Sequence, residues 1–136
     1  IAFWFPEFKL GFQCRTPPNA DQCPIFYYKT LAVTCSILHR IPHRKPRMVI
    51  YSDNQNTVDI WHSLKASAPY NQLLIIAIDE IINLQIDTRV VHIPSVSNSV
   101  ANALSRFNNG VASYLVPRLE ILSFQPPRGM LGAVQK

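Results

Sequence analysis

The stretch Arg47–Asn54, RMVIYSDN, most narrows what this chain can fold into. Met48 to Tyr51 form a short apolar run that Ser52 ends, which is the length and composition of a buried strand. Asp53 follows at the strand's carboxyl end, and Asn54-Gln55 opens a helical pattern. Where strands alternate with helices, ligands gather at the carboxyl ends of the strands. A carboxylate there carries chemistry only in company. Alone, Asp53 reads as a helix N-cap, because its oxygens can accept from the free N–H groups of the following turn.

The flanking segments supply the alternation. Ile1–Phe5 and Phe8–Gln13 read as two strands of a hairpin, separated by Pro6-Glu7. In the second, Phe8, Leu10 and Phe12 share one face and Lys9, Gly11 and Gln13 the other. Arg15–Pro24 is a loop by its three prolines. Ile25–Arg40 reads as a helix, with Ile25, Tyr28, Leu31, Ala32, Cys35, Leu38 and His39 at spacings of three and four. After the Asp53 strand, Asn54–Leu64 and Tyr70–Leu84 read as helices and Asp87–Ile93 as a strand. Asn98–Phe107 reads as a last helix, N-capped by Asn98 and stopped by Asn108-Asn109-Gly110. The order predicts an α/β fold with a mixed sheet flanked by helices. The domain is expected over residues 1–110, with 111–136 a tail or linker towards a downstream domain.

With 136 residues, 48% of them apolar and 15% charged, the chain can bury one real core and is not a disordered segment. Its three cysteines, Cys14, Cys23 and Cys35, are odd in number and lack CxxC spacing, which argues against a disulfide framework or a zinc site and for a reducing compartment. Cys35 falls in the apolar helical pattern and reads as a small core residue. No apolar run reaches the ~18 residues of a membrane helix. The start, IAFWFPEF, lacks the features of a signal peptide and has no initiator Met, so it reads as a cut through a longer polypeptide. An intracellular setting, cytoplasmic or nuclear and without a membrane partner, is expected. The net charge of +5 favours a polyanionic partner modestly. Arg40, His43, Arg44, Lys45 and Arg47, with His39 beside them, cluster near one loop and suit either phosphate contacts or a solvated basic surface.

Three segments carry a resemblance to a family. IFYYKTLAV (25–33), VIYSDNQNTV (49–58) and VHIPSVSNSVANALSRF (91–107) resemble the ribonuclease H-like domain of reverse-transcribing retroelements, especially tyrosine-recombinase-type elements and their fungal relatives. The third, similar to that family's closing His-x-Pro…Asn-x-x-Ala-Asp-x-Leu-Ser-Arg signature, is the most specific. FQPPRGMLGAVQK resembles the connector before a recombinase region. The resemblance implies a ribonuclease H-like sheet and adjacent reverse transcriptase-like and recombinase-like regions in one polyprotein. It also implies an RNA–DNA hybrid as substrate, with magnesium or manganese as cofactor.

That chemistry needs carboxylates around two metals roughly 4 Å apart, which activate a water and neutralise the leaving oxygen. The resemblance puts them on the first strand, the first helix, the strand end before Asn, and the last helix. Asp53 matches the strand end. Lys29 stands where the family has Glu, and Asn102 where it has Asp. The position for the first-strand Asp would precede Ile1, and with it the first central strand. Lys29 puts an ammonium where a metal belongs. It is expected to pair with Asp53, or to be an exposed helix lysine if the register is off by one. Asn102 removes a further charge. The expectation is a catalytically inactive pseudoenzyme, structural or nucleic-acid binding, with no cofactor. An active metal-dependent ribonuclease H, with Asp53 as ligand, is the alternative; a protein-interaction module derived from such a domain is another. Three outcomes are open for the sheet: the missing strand lies upstream, its two neighbours pair directly, or Leu119–Phe124 fills the gap. His92 is expected to be a packed, hydrogen-bonded strand histidine. Trp4 and Trp61 are expected to be core residues, and Asp79-Glu80 a solvated helix face.

Overall fold

The computed structural model describes residues 1–16, 25–39, 47–68, 70–127 and 130. Among them the fold is mixed α/β, with five strands and five α-helices. Strands β1 (Ala2–Phe5) and β2 (Leu10–Gln13) form the expected antiparallel hairpin, with Phe3 opposite Phe12. Pro6–Phe8 forms a 3-10 turn between them, so Phe8 belongs to the turn rather than to β2. Helix α1 (Ile25–Leu38) leads towards β3 (Arg47–Ser52). Helices α2 (Gln55–Ser63) and α3 (Tyr70–Leu84) then lead to β4 (Asp87–His92). Strands β3 and β4 pair in parallel, Arg47 opposite Asp87 through Ser52 opposite His92. A 3-10 turn, Ser95–Asn98, introduces α4 (Ser99–Ser105).

Residues 111–127 and Met130 pack on the domain. They continue α5 (Asn109–Leu115) and form β5 (Glu120–Ser123), which pairs in parallel with β2. Phe124 and Met130 are buried in the same core as Tyr27, Leu31 and Cys35, and the Tyr27 hydroxyl donates to the Met130 carbonyl. The segment is held by apolar burial and a strand ladder. Helix α4 stops at Ser105 with Arg106 as its C-cap, so Asn108-Asn109-Gly110, expected to stop that helix, instead opens α5.

The strands form two sheets, β1-β2-β5 and β3-β4. β5 adds beside β2, away from β1, and β1 does not pair with β3. Neither direct closure nor filling of the gap by Leu119–Phe124 therefore takes place. Alternation along β1 sets the layers. Phe3 and Phe5 pack on the α1 side, while Ala2 and Trp4 pack with Leu104 of α4 on the opposite face. Gly11 is small because a Cβ there would meet the Leu104 Cδ1 at 2.9 Å.

Helix α1 is buried on nearly every side, with Tyr27, Thr30, Leu31, Cys35 and Ile37 fully inaccessible. One flank packs against the β1-β2-β5 core and the other against a core of Val58, Trp61, Leu74 and Val90. A central helix of this kind has no polar face to show water. Its hydroxyls must find partners inside. Thr30 donates to the Phe26 carbonyl at 2.9 Å and meets the Thr57 hydroxyl at 3.2 Å; Thr34 donates to the Leu73 carbonyl at 3.1 Å. Burial also pushes the Cys35 thiol up to about 12, fitting a small core residue.

Candidate functional site

Asp53 sits just past the carboxyl end of β3, where the sequence places it. It is not the cap of α2. Asn54 takes that role, its Oδ1 accepting from the Thr57 N–H at 2.9 Å. Asp53 faces inward, with its side chain 8% exposed. The Lys29 Nζ, one turn into α1, lies 3.5 Å from Asp53 Oδ1. The Ser95 hydroxyl donates to Asp53 Oδ2 at 2.9 Å. Asn102 of α4 donates from Nδ2 to the Ser95 carbonyl at 3.4 Å. One carboxylate thus joins the end of β3, the amino-terminal part of α1, the turn after β4, and α4.

The electrostatics follow from these neighbours. Burial opposes ionisation of Asp53, but the Ser95 hydroxyl, the Lys29 ammonium and the side-chain amides of Asn102 and Asn98 outweigh it. Together they hold the carboxyl below its ordinary range. Asn98 immediately precedes α4, but its side chain does not cap the helix and serves the Asp53 cluster instead.

A divalent metal of the magnesium class takes several oxygen ligands, mostly carboxylates. Here one carboxylate faces an ammonium, a hydroxyl donor and amides. Among the described residues no group of three His, Cys, Asp or Glu side chains is placed to share a metal. Of the two side chains at positions 29 and 102 that reach Asp53, Lys29 offers a cation no ligand and Asn102 offers only a neutral amide oxygen. The donor set does not fit a metal pair.

Other expected site residues scatter. Arg47 is exposed at the start of β3; Arg40, His43, Arg44 and Lys45 lie outside the described residues. The His39 ring packs against Phe3, Phe12 and Phe124, and its Nδ1–H donates to the Cys35 carbonyl at 2.8 Å. His92 is exposed on β4, not packed. The histidine bound to that strand is His62 of α2, whose Nε2–H donates to the Val90 carbonyl at 2.8 Å. Trp61 is in the core and Trp4 is half-buried against α4. Asp79 is exposed and Glu80 partly so. Sequence reading assigned no role to Ser95 or Asn98 at Asp53. The only signal was their place in the HIPSVSN run between β4 and α4. No helix among the described residues is long and apolar enough to cross a membrane.

Comparison of the chain with protein-family models, curated proteins and solved structures finds no match.

Proposed function

We propose that the chain is a ribonuclease H-like domain of the retroelement type that does not hydrolyse phosphodiesters. It serves as a structural, nucleic-acid-contacting part of a polyprotein, between reverse transcriptase-like and recombinase-like regions. The observation that carries this reading is the 3.5 Å contact between Lys29 and Asp53. The carboxylate best matched to a nuclease metal ligand is neutralised by the protein's own cation. A metal would have to displace an ammonium already in place and would gain a single carboxylate in return, against the several oxygen ligands such ions take. The Asp53 cluster therefore acts as a clasp, fixing β3 against α1 and α4.

The nucleic-acid part of the reading is supported by the net charge of +5 and by exposed Arg47 at the edge of the basic segment. Both parts are tested by incubating the purified protein with an RNA–DNA hybrid and magnesium or manganese, and by measuring hybrid binding across a salt series. The expected results are no cleavage beyond that of Asp53→Asn, and binding that weakens as salt rises. Cleavage that Asp53→Asn abolishes would overturn the first part. Absence of binding at low salt would overturn the second.

A further inference from the structure

Strands β4 and β5 form the outer edges of the two sheets. A free strand edge presents a row of N–H and C=O groups to any further strand, and proteins normally blunt or cover it. β4 is guarded. The Ile93 N–H donates to the Ser52 carbonyl at 2.9 Å, so alternation turns the main-chain groups of Val90 away from β3, and there the Val90 carbonyl accepts from His62 Nε2–H. Asp87 and Arg89 add exposed charges. β5 has no such cover among the described residues. The Glu120 N–H donates to the Lys9 carbonyl at 2.8 Å and the Phe124 N–H to the Gln13 carbonyl at 3.3 Å. Residues 120, 122 and 124 therefore bond to β2, and the main-chain groups of Ile121 and Ser123 point outward without a partner among the described residues.

Apolar side chains reach the same edge. Phe3, Phe12 and Leu122 stand opposite one another in a row across the three strands, on the α1 face. The row ends in Leu122, which is 40% exposed. On the other face Ile121 packs in one core with Ala112 of α5, and α5 leaves Val111, Tyr114 and Leu115 exposed, Tyr114 at 85%. The edge is also complementary to itself. In an antiparallel pair about a two-fold axis at Leu122, Ile121 of each copy meets Ser123 of the other, and these are the residues with free main-chain groups. Leu122 meets Leu122 in the close, non-hydrogen-bonded position, and the apolar row runs on through both copies. Glu120, the only charge in β5, falls opposite Phe124, so like charges do not meet.

We propose that β5 is a homodimerisation edge. Its occupant is the β5 of a second copy of this chain, paired antiparallel about Leu122, so that the two β1-β2-β5 sheets become one. A ladder of four residues is small for a stable dimer, and the exposed apolar face of α5, joined to β5 through residues 116–119, supplies further area. A second copy fits better than an unrelated strand because the free main-chain groups and the exposed leucine are symmetric about one residue. The inference is independent of whether the domain hydrolyses or binds nucleic acid.

The test is sedimentation of the purified protein over a concentration series, with a circular dichroism spectrum for every variant. The mass should rise from that of one chain to that of two and stop there. Ser123→Pro removes an outward N–H and leaves the bonds to β2 in place, at a position where an edge strand tolerates proline. Leu122→Lys sets two like charges opposite each other. Each should weaken dimerisation by about tenfold or more while the spectrum is retained. Leu122→Cys should link two copies under mild oxidation, and Ser123→Cys, which faces residue 121 of the other copy, should not. The proposal is overturned if the protein stays monomeric at about millimolar concentration, if assembly grows past the dimer, if folded Ser123→Pro and Leu122→Lys variants dimerise like the parent, or if the two cysteine variants cross-link alike.

Discussion

Separating Lys29 from Asp53 should cost measurable stability, and the cost should be shared. At 3.5 Å, two unit charges in an effective dielectric of about 20 attract by about 5 kcal/mol before desolvation is counted. Asp53 is nearly buried and Lys29 is 28% exposed, so desolvation and solvent screening remove most of that. A net coupling of about 1–2 kcal/mol remains. The assay is a double-mutant cycle by urea unfolding with Lys29→Met, Asp53→Asn and the pair. Each single variant should lose about 1–2 kcal/mol, and the double variant should lose clearly less than their sum. The pH dependence fixes the sign. The folded carboxyl titrates below its ordinary value, so its contribution is fully present above about pH 4 and is lost as pH falls through the lowered value. Asp53→Asn should flatten the acid limb of stability against pH. Additivity of the two single variants within about 0.3 kcal/mol, or an unchanged acid limb, would refute the clasp.

Two further outcomes follow from the same geometry. Lys29→Glu combined with Asn102→Asp brings three carboxylates together at Asp53. Manganese should then raise the melting temperature of that variant and leave the parent unmoved; a folded variant indifferent to metal would mean that these positions do not converge on one site. Asn54→Ala removes the oxygen that accepts from Thr57 N–H and should cost about 1 kcal/mol by thermal unfolding, whereas no loss would return the cap to another residue.

How far the sequence was legible depended on how local each signal was. The hairpin, α1, α2, α3, β3 and β4 are carried by apolar runs and periodicities within a dozen or so residues, and they stand close to where those patterns place them. β5 is four residues long and largely exposed, and its partner β2 is more than a hundred residues away, as the pairing of Glu120 with Leu10 shows. No local pattern announces such a pair. The helical face read on α1 was true but incomplete, because Thr30, Thr34 and Ser36 look polar and are buried, Thr30 and Thr34 through hydrogen bonds to α2 and α3 and Ser36 through one to the Val33 carbonyl of its own helix. At the site, the motif placed Asp53, and the helix register placed Lys29 beside it. The choice of Asn54 over Asp53 as the cap was not legible, since either side chain can cap. Tertiary contacts with Lys29 and Ser95 draw Asp53 away. Likewise, His92 and His62 both suit a strand-bound histidine in sequence, and only the packing of α2 on β4 selects His62.

Asp53 is closed by Lys29 rather than held open for a metal. Manganese titration followed by paramagnetic broadening of the backbone amides reads that site directly. No selective broadening is expected around residues 29, 53 and 102 at millimolar manganese. Broadening centred on those residues in the parent protein, and lost in Asp53→Asn, would contradict it.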